Sequence, residues 1–193
     1  MIKDIHLVEK QHKPLSMNPQ KFILWMFIVA SIMIFASLTS AYIVRQSEGN
    51  WLQYELPTEL WLTTGVILLS SLTMHLAYAA GKKNNIKASK LYMVLTAALG
   101  VVFLIGQFYI WGILTSQGVY FVGNPGGSFL YVLTGMHGFH IISGLVFLGI
   151  MLFKSFTYKI KTEEGFKLGI CAGYWHFLDV LWVYLFIFLL LNH

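Results

Sequence analysis

Apolar residues in this chain fall in five unbroken runs, approximately Phe22 to Val44, Thr58 to Ala80, Leu91 to Leu114, Phe129 to Phe153 and Leu168 to Leu191. Crossing roughly 30 Å of hydrocarbon takes about 20 apolar residues in a helix, and each run meets that requirement. With no water to satisfy the backbone, each span must close its own hydrogen bonds, so the runs predict helices. The expected fold is all-α and polytopic: a polar tail over residues 1–21, then a five-helix transmembrane domain over residues 22–193. Polar segments punctuate the runs. "GKKNNIKASK" is a short basic turn, as an antiparallel helix pair needs. "SQGVYFVGNPGGS" is uncharged and carries turn residues at Asn124, Pro125, Gly126 and Gly127. "RQSEGNWLQYELPTELW" combines Glu48, Glu55 and Glu59 with Trp51, Tyr54 and Trp61, which predicts a segment at headgroup level with aromatic anchors.

Composition agrees with the pattern. Of 193 residues, 57% are hydrophobic and 11% charged, where a soluble domain carries about a quarter charged. The net charge of +5 raises the question of nucleic acid, but the basic residues are distributed as topology signals. Lys3, Lys10, Lys13 and Lys21 precede the first span. Lys82, Lys83, Lys87 and Lys90 separate the second and third, and Lys154, Lys159, Lys161 and Lys167 lie at or between the ends of the fourth and fifth. Arg45 alone falls on the opposite side. This asymmetry predicts a cytoplasmic N-terminus and an external C-terminus, and no nucleic-acid partner. Arg45, Lys82 and Lys83 are candidate contacts for lipid headgroups. The lone Cys171 excludes an internal disulfide and any site needing two thiolates from this chain. No cleavable signal is expected, because the first residues are polar and the following apolar run is too long.

Chemistry must come from the few polar residues inside the spans: Asp179 and the histidines His75, His137, His140 and His176. A charge at that depth is costly enough to count as a functional candidate. In the fourth run His137 and His140 are three apart and share a helix face. Small neighbours at Thr134, Gly135 and Gly138 would let another helix approach closely. His140 and Asp179 each lie roughly ten to twelve residues from the outer ends of antiparallel helices, which puts them near one depth. The expectation is a structural polar seam between helices four and five, made by His137, His140, Tyr174, Trp175, His176 and Asp179, with Asp179 paired to a histidine, Tyr174 or Trp175. Two sharper readings stand beside it. Helix-borne histidines can ligate a b-type haem in a bundle, as in a dihaem membrane anchor of a succinate or fumarate oxidoreductase. Proton transfer is the other, although a complete path would need more ionisable groups than these spans hold.

"LTGMHGFHIISG" paired with "YWHFLDVLWVYLF" resembles the last two helices of subunit III of the haem-copper terminal oxidases. Upstream, "MFIVASIMIFASLTSAYIVR", "LLSSLTMHLA" and "LGVVFLIGQFYIW" are similar to the three preceding helices of that family. The likeness covers nearly the whole chain after the tail and corresponds to the short five-helix bacterial form. It implies an accessory subunit with no catalytic, cofactor or metal residues of its own, set in a bacterial inner membrane. Haem and copper would reside in partner subunits, with subunit I, subunit II and phospholipids as partners and a larger respiratory supercomplex as a further assembly. Support of proton uptake by the catalytic subunit is implied too. The accessory subunit of a nitric oxide reductase would have much the same helix pattern. Two membrane carboxylates frequent in the family are replaced, by Ser31 and by Ile110, which puts any role that depends on them in doubt.

Overall fold

The computed structural model describes residues 18–52, 54–157 and 162–192. It contains five helices in chain order: α1 (Pro19–Ser47), α2 (Glu59–Lys82), α3 (Ile86–Ser116), α4 (Pro125–Thr157) and α5 (Thr162–Asn192). All five are long and apolar enough to cross a membrane. Each helix runs past its apolar stretch at one end or both, because the flanking polar residues supply caps. Asn18 accepts a hydrogen bond from the Gln20 amide at 3.1 Å, and Pro19 occupies the first turn, where its missing N–H costs nothing. Residues 1–17 of the expected tail, and Lys159 and Lys161, lie outside the described residues.

The basic turn between α2 and α3 is tighter than its sequence suggests. Asn84 adopts a left-handed backbone at φ 57°, a conformation that asparagine tolerates. The next amide, Asn85 N–H, reaches back to the Ala80 carbonyl at 3.0 Å, while the Asn85 side chain caps α3 through the Ala88 amide at 3.3 Å. The sharp reversal lays α2 along α3, the most extensive helix contact in the molecule. Small and hydroxylated residues line that contact. Thr73 and Thr96 hydroxyls lie 2.8 Å apart, Ser89 donates to the Ala77 carbonyl at 2.9 Å, and Gln107 Nε2 donates to Thr63 at 3.2 Å.

Helices α2, α3, α4 and α5 form a closed ring in which each packs on its two neighbours. Helix α1 stands outside this ring. It touches α4 and α5 but neither α2 nor α3 among the described residues, and it leaves Ile23, Trp25, Met26 and Met33 exposed. Polar ties compensate for the small contact. Thr39 bonds Tyr184 at 2.9 Å, and Tyr42 and Gln46 both donate to the Asn192 carbonyl, at 2.8 and 3.1 Å.

The loops that follow α1 and α3 interlock at one end of the ring. Asn124 Oδ1 accepts from the Leu52 and Gly126 amides at 3.1 and 2.9 Å, and its Nδ2 donates to the Asn50 carbonyl at 3.1 Å. One side chain thereby joins both loops. The expected row of aromatic headgroup anchors is only partly present. Trp61 is 61% exposed, but Tyr54 is buried at 7%, and Trp51 is half-buried with its ring edge-on to Tyr42 at 4.7 Å. The loop folds inward because these rings close the apolar end of the bundle. Burial, with Tyr42 alongside, holds the Tyr54 hydroxyl above the ordinary tyrosine range.

Candidate functional site

Successive residues on a helix are turned about 100° from one another, so adjacent polar side chains on α5 cannot all face one neighbour. Tyr174 points to α4, where its hydroxyl lies 2.7 Å from Ser143 Oγ. Trp175 enters the middle of the ring and donates its indole N–H to Ser70 on α2 at 3.0 Å. His176 turns outward along α2, its Nδ1 2.8 Å from Ser71 Oγ. Its ring sits 6.1 Å from that of His75.

Trp175 occupies a slot made by glycines. A β-carbon on Gly100 of α3 would come within 2.9 Å of its ring, and one on Gly144 of α4 within 3.3 Å. One side chain of α5 thus meets all three other ring helices. Seven residues on, Trp182 repeats the device. Its indole donates to Thr64 of α2 at 3.0 Å, Phe103 of α3 lies edge-on at 4.9 Å, and His137 of α4 tilts against it at 5.0 Å. The two indoles form layers about 10 Å apart along the axis. Both are completely buried.

His137 is fully buried with neither ring nitrogen hydrogen-bonded. It packs as an aromatic plate between Trp182 and Phe103. His140, about 60° round the helix from it, faces α1. Its Nδ1 lies 2.7 Å from the Met136 carbonyl, which can only accept, so in the neutral ring Nδ1 carries the proton and Nε2, 3.2 Å from Ser31 Oγ, shares the one hydroxyl proton of Ser31 with the Phe27 carbonyl 2.8 Å from the same oxygen. Phe27 and Phe35 of α1 flank the ring at 5.8 and 5.4 Å. Ser31 therefore links α1 to α4.

Asp179 departs from expectation. It is 2% exposed, and neither carboxylate oxygen has a hydrogen-bond partner. Pairing with Tyr174 or Trp175 is ruled out because those groups are committed to Ser143 and Ser70, and His137 and His176 make no bond to it. The carboxylate faces α2, with Ser71 as its polar neighbour. The six residues therefore divide among three directions: His140 to α1, Trp175, His176 and Asp179 to α2, and Tyr174 and His137 across the α4–α5 contact. Sequence reasoning passed over Trp182, whose heptad spacing from Trp175 was the available signal. It also passed over the small hydroxyls of α2, Thr64, Ser70 and Ser71, which accept what α5 offers.

The candidate headgroup residues lie at the bundle ends. Arg45 pairs with Glu48 in the last turn of α1, beside a groove that Asn124 and Phe129 also line. Lys82 and Lys83 are exposed at the α2–α3 turn. Among the described residues no group of three or more His, Cys, Asp or Glu side chains converges as a metal site would require. Imidazole and carboxylate are here distributed among helix contacts.

Comparison with known proteins addresses the chain as a whole. The profile of the family described as cytochrome c oxidase subunit III matches residues 2–192. A probable cytochrome c oxidase subunit 3 of Nocardia farcinica is 31% identical over 85% of this chain and 82% of its own length. The cytochrome bo(3) ubiquinol oxidase subunit 3 of Buchnera aphidicola is 30% identical over 91% of this chain and 95% of its own. A probable quinol oxidase subunit 3 of Staphylococcus saprophyticus is 28% identical over 96% and 94%. With five membrane-crossing helices and a family match along nearly its full length, this chain belongs to the cytochrome c oxidase subunit III family.

Proposed function

We propose that this chain is the cofactor-free accessory subunit of an aerobic respiratory haem-copper terminal oxidase in a bacterial inner membrane, packed with subunits I and II. The match to subunit III over residues 2–192 carries this reading. Local chemistry supports it: the indoles of Trp111, Trp175 and Trp182 and most imidazoles of the spans are spent on joining helices, the work of a scaffold rather than of a redox centre. The polar contacts of His140, Tyr174, Trp175 and His176, with His137 packed as a ring and Asp179 buried among them, hold the ring and α1 in register, and the chain does no chemistry of its own. Its contribution is to keep the catalytic subunit assembled, to sustain that subunit's proton uptake, and to bind phospholipid at Arg45, Lys82 and Lys83. The lysine distribution supports insertion with the N-terminus in the cytoplasm and the C-terminus outside. Assembly into a larger respiratory supercomplex fits the same role.

Purification of the tagged chain from its native membrane in mild detergent tests the reading. It should bring down an oxidase containing haem and copper, while the chain alone shows no Soret absorption. Deleting it should leave an oxidase that turns over initially and then inactivates. A Soret band from the isolated chain would favour the dihaem anchor, and recovery with a nitric oxide reductase would move the chain to that complex. Either result would overturn the proposal.

A further inference from the structure

His75 sits on the outer face of α2 and is exposed, about 10 Å along the helix from its Lys82 end. That depth is hydrocarbon. His75 makes no hydrogen bond among the described residues. Its ring neighbour His176 is half-buried and bonded to Ser71, and behind Ser71 lies the unpartnered carboxylate of Asp179. A polar wedge therefore runs from the surface of the bundle into its interior. Elsewhere in the belt the surface has the composition lipid favours: outward positions of α3 are Val101, Val102 and Ile105, each exposed by 46–63%. Acyl chains offer an imidazole no partner, and polar side chains within spans face protein or water-filled cavities rather than lipid.

The shape of this face is as informative as its chemistry. Helices α1 and α2 both pack on α5 and do not touch each other, so α5 forms the floor of an open slot between them. Gly173 is exposed on that floor with nothing within 4 Å of where a β-carbon would stand, and Val180 is 68% exposed two turns away. A small residue at a helix surface permits close approach of another backbone, and a polar side chain beside it can bond across. We infer that the α2–α5 face around His75 and His176 receives a transmembrane helix of the oxidase's catalytic subunit, which supplies a hydrogen-bonding side chain to the exposed imidazole. The inference rests on the accessory-subunit reading and adds to it the contact surface. A lipid tail could fill the slot but would leave His75 unsatisfied.

Photocrosslinking in the intact complex tests the assignment. Leu72→p-benzoylphenylalanine on α2 and Val180→p-benzoylphenylalanine on α5 flank the histidines, and Ile105→p-benzoylphenylalanine on α3 is the control. Illumination should join the chain to the haem-bearing subunit from positions 72 and 180 and not from 105. His75→Leu should loosen retention of the chain in detergent about threefold, the effect of one typical interhelical hydrogen bond, and His75→Gln should restore it. Adducts from position 105 alone would overturn the inference. So would adducts from 72 and 180 that contain only lipid or a second copy of this chain. If no haem-bearing subunit accompanies the tagged chain, the accessory-subunit reading falls and takes this surface with it. If that subunit is recovered but crosslinks elsewhere, only the surface is wrong.

Discussion

Gly100→Ala places a methyl group 2.9 Å from the Cη2 atom of Trp175. That ring is fully buried and held by its bond to Ser70, so it cannot simply swing away. A β-carbon on Gly100 would also come within 3.1 Å of Leu145 Cδ2. Overpacking of this kind costs about 1–3 kcal/mol. The indole bond to Ser70 is the smaller term, since interhelical hydrogen bonds in membranes average about 0.6 kcal/mol. Trp175→Phe removes the outer ring atoms that meet Gly100, at the expense of a cavity and that bond. The part of the clash that Trp175 causes should then vanish while the Leu145 contact remains: Gly100→Ala should destabilise the native bundle by about 1–3 kcal/mol and cost distinctly less in the Trp175→Phe background. A double-mutant cycle on the purified chain in bicelles, read by steric trapping, measures the coupling. Additivity within about 0.5 kcal/mol would refute the account, because residues in direct contact should couple by more.

Further outcomes follow from other contacts. Ser31→Ala removes the α1 hydroxyl that meets His140, and hydrogen exchange should rise in α1 while α2 and α3, which do not touch it, stay protected. Asn124→Ala deletes three hydrogen bonds, two that join the loops after α1 and α3 and one to the Gly126 amide within its own loop. At about 0.5–1.5 kcal/mol each, their loss should lower thermal stability and admit protease at residues 49–58, whereas Asn124→Asp, which keeps both acceptors, should lose less. Tyr54 has its folded pKa raised by burial, so the stability it contributes is complete below the unfolded tyrosine value of about 10 and is lost as pH rises beyond it. Alkaline unfolding should therefore shift upward in Tyr54→Phe, and an unchanged midpoint would count against a buried hydroxyl.

Helix number and extent were legible because the five apolar runs leave the backbone no alternative in a bilayer. Helix arrangement was not. Nothing in the run containing Ser31 and Tyr42 says that α1 would stand outside a ring, since its apolar residues are as numerous as those of ring helices. The difference lies in which of them find a neighbour. His137 and His140 were rightly expected on one helix, yet the inference that a shared face means a shared partner failed. Three residues advance a helix by about 300°, leaving roughly 60° between side chains, enough to send one ring to Trp182 and the other to Ser31. Asp179 misled for a related reason: the nearest polar letters in sequence, Tyr174 and Trp175, point elsewhere, while Ser71 is over a hundred positions away. Trp51 and Tyr54 look like interfacial anchors by composition, and only the loop's inward fold distinguishes sealing a bundle end from floating at a surface.

The position of α1 bears on biogenesis. Its companions α4 and α5 leave the ribosome well after it, and the carbonyl that receives Tyr42 and Gln46 belongs to Asn192 at the end of α5. At about 5–20 residues per second, α1 waits roughly 7–30 s for its berth, its Ser31, Thr39 and Tyr42 bare in the meantime. The chain thus threads the bilayer from the front but locks from the back, and an insertase or a lateral chaperone that shelters α1 during the interval would set the yield of folded subunit.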